Sequence, residues 1–433
     1  MQKSDWKKCK LGDTAIEIID GDRGKQYPKN NELLPDGFCL FLSTKNLPDI
    51  RFDFSETQFI SKEKDCALRK GKLQRNDIAF TTRGTLGHLA WFTDAIPYEN
   101  IRINSGMVIL RNQDCGIDTR FLFQQLASQY IQKQIAELRT GSAQPQLPIK
   151  DFLNLELYLP PLEEQKRIAQ ILGALDDKIE LLQKQNKTLE DMAKAIFKSW
   201  FVDFDVVHAK QKGLSKADIM REYHLTDELY DLFPSDFENS SLGPIPLGWQ
   251  ATTFKTITTQ EKTRVGSQEL PVLSAVKTGE LVLSEDFFNK KVFSNSIKNY
   301  IVVPRLSFAY NPSRINIGSI GCNHMNSAGC VSPVYVVFSV ISGYENYMEF
   351  IIHSTSFNSE VAHRASGTVR QSLSYQDLSY IPVIKPSKDI ISMFDTLISY
   401  WQRKQILNNK QIQTLTELRD TLLPPLISGK IRV

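Results

Sequence analysis

Two stretches of the chain carry apolar residues at alternating steps of four and three. In the first, from Glu163 to about Trp200, the seam reads Ile168, Leu172, Leu175, Ile179, Leu182, Asn186, Leu189, Ala193 and Ile196, broken by one polar residue at Asn186. The stretch has no proline and a single glycine, Gly173. This spacing predicts a long helix whose narrow apolar stripe requires a partner helix. Glu163 and Glu164 fall in its first turn, where acid suits the helix dipole, and Pro160-Pro161 block extension backwards. The second stretch runs from about Asp389 to Leu423, with Phe394, Ile398, Trp401, Asn408, Ile412, Leu415 and Leu422 on its seam. It is expected to stop before Pro424-Pro425.

Ahead of each helix lies a segment with short β-branched or aromatic runs. Ile78-Ala79-Phe80, Met107 to Leu110, Tyr300 to Val303 and Val334 to Phe338 are expected strands; Arg120 to Leu138 and Tyr347 to about Ala365 are expected helices. The segments repeat one another. Arg139-Thr140-Gly141-Ser142-Ala143-Gln144-Pro145-Gln146-Leu147 answers Ala365-Ser366-Gly367-Thr368-Val369-Arg370-Gln371-Ser372-Leu373. At a spacing of 226 residues Asp151 meets Asp377, Leu155 meets Ile381 and Pro160 meets Pro386, while Arg83 and Gly87 answer Arg314 and Gly318 at 231. The order is kept throughout, which points to duplicated α+β lobes, each followed by a long helix. Pro234 to Gly248, dense in Ser, Gly and Pro, reads as the linker between them.

Composition adds mainly exclusions. The 433 residues hold 52 basic and 49 acidic side chains, so any nucleic-acid surface must be a local patch. Residues 163–200 carry seven of each sign and 389–423 four of each, which makes the helices poor tracks for phosphates. There is no long apolar run, and Met1 to Lys8 lacks an apolar stretch, so a cytoplasmic protein is expected. The six cysteines form no CxxC pair, and Cys322, His324 and Cys330 match no common zinc spacing. No phosphate-binding glycine loop, HExxH or GxSxG occurs. Tyr310-Asn311-Pro312-Ser313 only partly matches the Asn-Pro-Pro-aromatic signature of amino-methyltransferases, and Asp203-Phe204-Asp205 is a carboxylate pair at a helix exit. The expectation is a chain with no catalytic residues, no cofactor and no metal; a stand-alone adenine methyltransferase or nuclease with degenerate motifs is the alternative.

Leu159-Pro160-Pro161-Leu162-Glu163-Glu164-Gln165 entering the first helix, Gly141-Ser142-Ala143-Gln144 before it, Leu242-Gly243-Pro244-Ile245-Pro246-Leu247-Gly248-Trp249 between the lobes and Leu422-Leu423-Pro424-Pro425-Leu426-Ile427-Ser428-Gly429-Lys430-Ile431 at the end carry a resemblance. Together they resemble the specificity (S, HsdS-type) subunits of type I restriction–modification systems. The resemblance implies two target-recognition domains, at 1–158 and 248–386, each reading half of a bipartite site in double-stranded DNA. It implies spacer helices at 159–202 and 387–433 (the latter with a C-terminal tail), packed as an antiparallel coiled coil, and a linker at 203–247. It also implies partners: two modification (M) methyltransferase subunits and, where present, restriction (R) subunits, with no membrane. Gly367-Thr368-Val369-Arg370 in place of Gly-Ser-Ala-Gln, and Lys388-Asp389 in place of paired glutamates, depart from strict symmetry.

DNA contact favours bidentate donors for bases and Arg, Lys, hydroxyls and free amides for phosphates. Two segments per lobe fit. The first pair is Thr81, Thr82, Arg83 and Gly84 with Asn311, Ser313 and Arg314. The second is Gly141, Ser142, Gln144 and Gln146 with Gly367, Thr368, Arg370 and Gln371. Features shared by both lobes suit the DNA backbone, whereas Gln144 against Arg370 suits base reading. Lys62, Lys64, Arg69, Lys70, Lys72 and Arg75 form a basic run that could follow phosphates.

Overall fold

A computed structural model describes residues 6–141, 145–288, 293–294, 296–365 and 372–433. The chain forms two compact units, residues 1–183 with 409–433 and residues 184–408. Each is α+β and takes one lobe together with part of each long helix.

In the first unit, strands Ile16–Asp20, Met107–Asn112, Ile78–Thr81 and Leu89–Trp91 form an antiparallel sheet in that order. Its central strands are apolar from Ile78 to Phe80 and from Met107 to Leu110 because both faces are covered there. Ile78, Phe80, Val108 and Leu110 pack with Leu122, Leu126, Ile131 and Phe152, and the alternate residues Ala79, Met107 and Ile109 pack with Leu40, Leu42 and Ile103. A strand at the start of the lobe, Lys7–Lys10, pairs antiparallel with Glu156–Leu159 just before the long helix.

The second unit repeats the plan. Thr258–Glu261, Val336–Val340, Phe308–Tyr310 and Ile320–Cys322 have the same order and directions, and Gln250–Thr253 pairs with Pro382–Lys385. Each helix expected after the sheet is in fact two, Thr119–Ala127 and Gln129–Leu138 in one unit, Glu345–Ile352 and Thr355–Arg364 in the other. The break falls on Ser128 and on Ser354, whose hydroxyls accept from the amides of Ile131 and Phe357 and so cap the second helix of each pair.

The stretch read as a linker is folded. Helices Asp205–Gln211, Lys216–Glu222 and Asp227–Leu232 bring Val206, Val207 and Ile219 into a core with Trp200 and Trp249. Within the Gly/Pro-rich segment, Phe237–Ser240 and Gly243–Pro246 form a hairpin. Its composition reflects a tight turn, with Gly243 at φ +90°, and prolines tolerated in a two-stranded ribbon.

The long helices span Leu162–Phe201 and Lys388–Ile427. The second runs through Pro424-Pro425, contrary to the expected stop. Two missing amides cost hydrogen bonds there, but Leu422, Leu423, Leu426 and Ile427 on the same turns pack with Trp6, Ile168, Ala169 and Leu172, which holds the helix together. In the first unit, therefore, the start of one helix meets the end of the other. In the second, the end of the first helix meets the start of the second: Trp200 and Phe201 pack on Phe394, with Ile398 and Trp401 in the same core. The pairing is antiparallel in each.

Ile168, Leu172, Ile179, Leu182, Phe394, Ile398 and Trp401 are buried on the seam, while Leu175, Leu189, Ile412 and Leu415 are half-buried. Gln405 and Arg419 complete the heptad spacing of the second helix. Asn186, the polar break in the first stripe, meets Asn408: the Asn408 Nδ2 donates to the Asn186 Oδ1 at 2.8 Å, and Gln405 donates to the Asn186 carbonyl at 3.1 Å. Asn408 is 2% exposed. Asn408→Leu alone is expected to cost about 1–2 kcal/mol by removing a partner of a largely enclosed amide, and Asn186→Leu/Asn408→Leu together to restore stability. Thermal melts of the four-way cycle read this directly; an additive double variant would contradict the pairing.

Candidate nucleic-acid interface

The loop after strand Ile78–Thr81 carries the first candidate segment. The amides of Thr82 and Arg83 both donate to the Gly106 carbonyl, at 2.8 and 3.2 Å, which anchors the turn on the neighbouring Asn104-Ser105-Gly106 loop. Gly84 donates to the Pro145 carbonyl at 3.1 Å, and Leu147 donates to that of Thr82 at 2.9 Å. Thr140 and Gln146 exchange both backbone hydrogen bonds at 2.8 Å. The two candidate segments, some sixty residues apart, thus form one surface. Ser142 and Gln144 lie outside the described residues.

The second unit builds the same junction. Leu373, the repeat of Leu147, donates to the Pro312 carbonyl at 3.1 Å, and the Tyr310 hydroxyl donates to the Leu373 carbonyl at 3.2 Å. The chain therefore returns to the Asn311–Arg314 turn as it does to Thr82–Gly84. Gly367, Thr368, Arg370 and Gln371, just before that return, lie outside the described residues.

Side chains on this surface divide into scaffold and available groups. Thr81 and Thr82 are 0% and 3% exposed. Their hydroxyls donate to the carbonyls of His88 and Gly106, so they stiffen the turn and cannot reach a ligand. That corrects their reading as DNA contacts; threonine at the end of a fully covered strand faces inward. Asn311 accepts from the Ser313 amide at 3.1 Å and closes its own turn. With Tyr310 buried, the methyltransferase-like tetrapeptide is a structural turn. Arg83 is half-buried and Arg314 exposed, and neither guanidinium has a hydrogen-bond or ion-pair partner among the described residues. Gly84, Gly141 and Ser313 are exposed and Gln146 is half-buried.

The recurrence of Gly87 and Gly318 has a backbone cause. Their φ angles are +83° and +87°, and a Cβ would come within 2.3 Å of the Gln132 Oε1 or 2.7 Å of the Lys277 carbonyl.

Much of the basic run is engaged elsewhere. Lys64 pairs with Glu32 at 2.7 Å, and Lys72 and Arg102 meet the buried Asp65 at 2.6 and 2.5 Å. Burial opposes ionisation of Asp65, but these two cations hold its carboxyl below the usual range. Arg75 donates to the carbonyls of Thr93, Ile96 and Tyr98. Arg69 and Lys70 are exposed.

Metal chemistry finds no site among the described residues, where no group of three or more His, Cys, Asp or Glu converges. His324 instead pairs with Glu349 at 2.8 Å, a hydrogen bond that raises the imidazole above its ordinary value. At the first helix exit Asp203 pairs with Lys198. No helix among the described residues is long and apolar enough to cross a membrane.

Comparison with known proteins finds relatives of this chain. Residues 3–191 match the family model described as the type I restriction modification DNA specificity domain. The chain is 26% identical to the type I restriction enzyme HindI specificity subunit of Haemophilus influenzae, over 99% of this chain and 100% of the relative. It is 25% identical to the MjaIX specificity subunit of Methanocaldococcus jannaschii, over 86% of this chain and 80% of the relative. Over most or all of its length the chain is therefore similar to type I restriction enzyme specificity subunits. Its fold is also that of a type I restriction–modification S subunit from M. genitalium, with a TM-score of 0.55 at 14% identity over 99% of this chain and 97% of that one.

In this chain, motif residues that carried the resemblance are structural. The Gln165 side chain donates to the carbonyls of Gly116 and Pro160 and accepts from the Asp118 amide, tying lobe to helix. Glu164, 4% exposed, accepts from the Trp6 indole at 3.3 Å and from Arg432 at 2.6 and 2.9 Å.

The thiols offer a check on this geometry. Burial pushes Cys39 up to about 12, with Asp65 adding to it, and Cys330 up to about 11; it raises buried Cys322 as well. A raised value keeps the unreactive thiol form at neutral pH. At pH 8 an aromatic disulfide reagent should label exposed Cys66 and Cys115 first, half-buried Cys9 more slowly, and the other three only on unfolding. Rapid native labelling of all six would contradict the described cores.

Proposed function

We propose that this chain selects a bipartite target in double-stranded DNA on behalf of methyltransferase partners and performs no chemistry itself. The carrying observation is the duplicated junction: in each lobe an arginine-bearing turn (Arg83, Arg314) is tied by the same backbone hydrogen bond to the segment leading into Leu147 or Leu373. A side chain with five donors and no partner among the described residues, beside backbone held open by glycine, suits phosphate or base-edge contact. On this reading Arg83, Gly84, Gly141, Arg314 and Ser313 meet the DNA backbone in both half-sites. Gln146 and the segments 142–144 and 367–371, which differ between lobes, distinguish the bases.

The partners are modification subunits, two in number, with restriction subunits where a system has them, and the setting is the cytoplasm. Each helix of 40 residues is about 60 Å long at roughly 1.5 Å per residue. A DNA turn is about 34–36 Å, so a stiff pair of such helices suits a spacer that makes the gap between half-sites a constant.

The isolated chain should transfer no methyl group from S-adenosylmethionine, whereas the complex with modification subunits should methylate adenine. Exchanging residues 1–158 for another specificity subunit's first lobe should change one half-site only; a change in both, or methylation by the chain alone, would overturn the reading. Arg83→Ala and Arg314→Ala should each weaken binding on all sequences alike and lower the salt slope of binding by about one. An unaltered slope would remove these arginines from the interface.

A further inference from the structure

A glycine inside a long helix weakens it relative to alanine, and Gly173 is the single one in its helix. The structure gives it a use. Arg120, in the first turn of helix Thr119–Ala127, lies across the long helix at that point. Its Nη2 donates to the Gly173 carbonyl at 2.8 Å and to Asp177. A Cβ on residue 173 would stand 2.1 Å from the guanidinium. One turn along, Gln124 donates to Asp176, which Arg419 of the second long helix also meets at 3.1 Å.

The second unit occupies the same place with different chemistry. Asn346, at the repeat position of Arg120, donates to Asp395 at 2.6 Å and to Ser399, the repeat of Gly173, at 3.3 Å. It accepts from Gln402, the repeat of Asp176, at 2.9 Å. Phe350 stands where Gln124 does and stacks on Phe197 at 5.1 Å between ring centroids. The elements that carry these positions recur in the two units; the contacts between lobe and helix do not. A guanidinium laid flat on a bare helix backbone holds the lobe closer than any side chain at residue 173 would permit, whereas Asn346 reaches a serine hydroxyl.

We infer that this contact is the seat of each lobe on its helix pair, and that Arg120 with Gly173, and Asn346 with Ser399, are positioning residues that set the gap length the complex accepts. The inference rests on the proposed bipartite reading. It assigns part of the spacing not to helix length but to how each lobe is seated.

Gly173→Ala separates this role from a merely structural one. Alanine is the better helix former, so the variant should fold and assemble with modification subunits, yet Arg120 must leave its place. Methylation by the reconstituted complex is measured on duplexes carrying the native half-sites with gaps one base pair shorter, native and one longer. The ratio of native to altered gaps should fall about ten- to a hundredfold, the scale a misplacement of about 1 Å reaches. Asn346→Ala should relax the same ratio from the other unit, and Arg120→Lys should restore less than the wild-type value, because an ammonium cannot span carbonyl and carboxylate as a guanidinium does. A wild-type complex indifferent to gap length would overturn the bipartite reading itself. A gap-selective wild type whose Gly173→Ala and Asn346→Ala variants remain equally selective would overturn the seat alone.

Discussion

Burial of two narrow apolar stripes against one another is the constraint on which the rest depends. A helix of 40 residues with a stripe on one side cannot stand alone in water, because its stability comes from the packed face and not from propensity. In each unit the stripe of one helix is covered by the other, and the lobe packs against the pair. The exceptions on the seam are polar and are satisfied together: Asn186 with Asn408 and Gln405 in one unit, Asp176 with Arg419 in the other. Such groups contribute little net stability but disfavour other registers, since a shifted pairing would leave an amide or a charge enclosed without its partner.

With the helices committed to one another, the lobes are free to vary. The four-stranded sheets share order and direction, and the loops that leave them share the glycines at 87 and 318, because these obey backbone geometry. The turns and the segments that return at Leu147 and Leu373 differ in sequence. On the proposed reading, the shared residues position the DNA and the unlike ones discriminate.

The helices and the duplication were legible because period and order are robust signals, and Asn186, the one break in the first stripe, meets Asn408. Boundaries were less legible. Serine at 128 and 354 reads as an ordinary polar residue until its hydroxyl is seen capping a new helix. Pro424-Pro425 signals a stop that packing by Leu426 and Ile427 overrides. The stretch 203–247 reads as a linker because its short helices carry few apolar residues each, and only the shared core with Trp200 and Trp249 collects them. At the proposed interface, Arg83 and Arg314 were visible as residue types after strands, but nothing local told that Thr81 and Thr82 face inward. Gly173 was visible as an oddity; its meaning needed Arg120, more than fifty residues earlier.

The central claim is that one chain reads two separated pieces of DNA for others to mark. The most direct test is a base-resolution map of methylated adenines in DNA from cells carrying this chain with its modification subunits. The account predicts a single motif of two unlike half-sites separated by a constant gap of unspecified bases, with a methylated adenine in each half. A continuous motif without a gap, or two half-sites marked independently of their spacing, would contradict it.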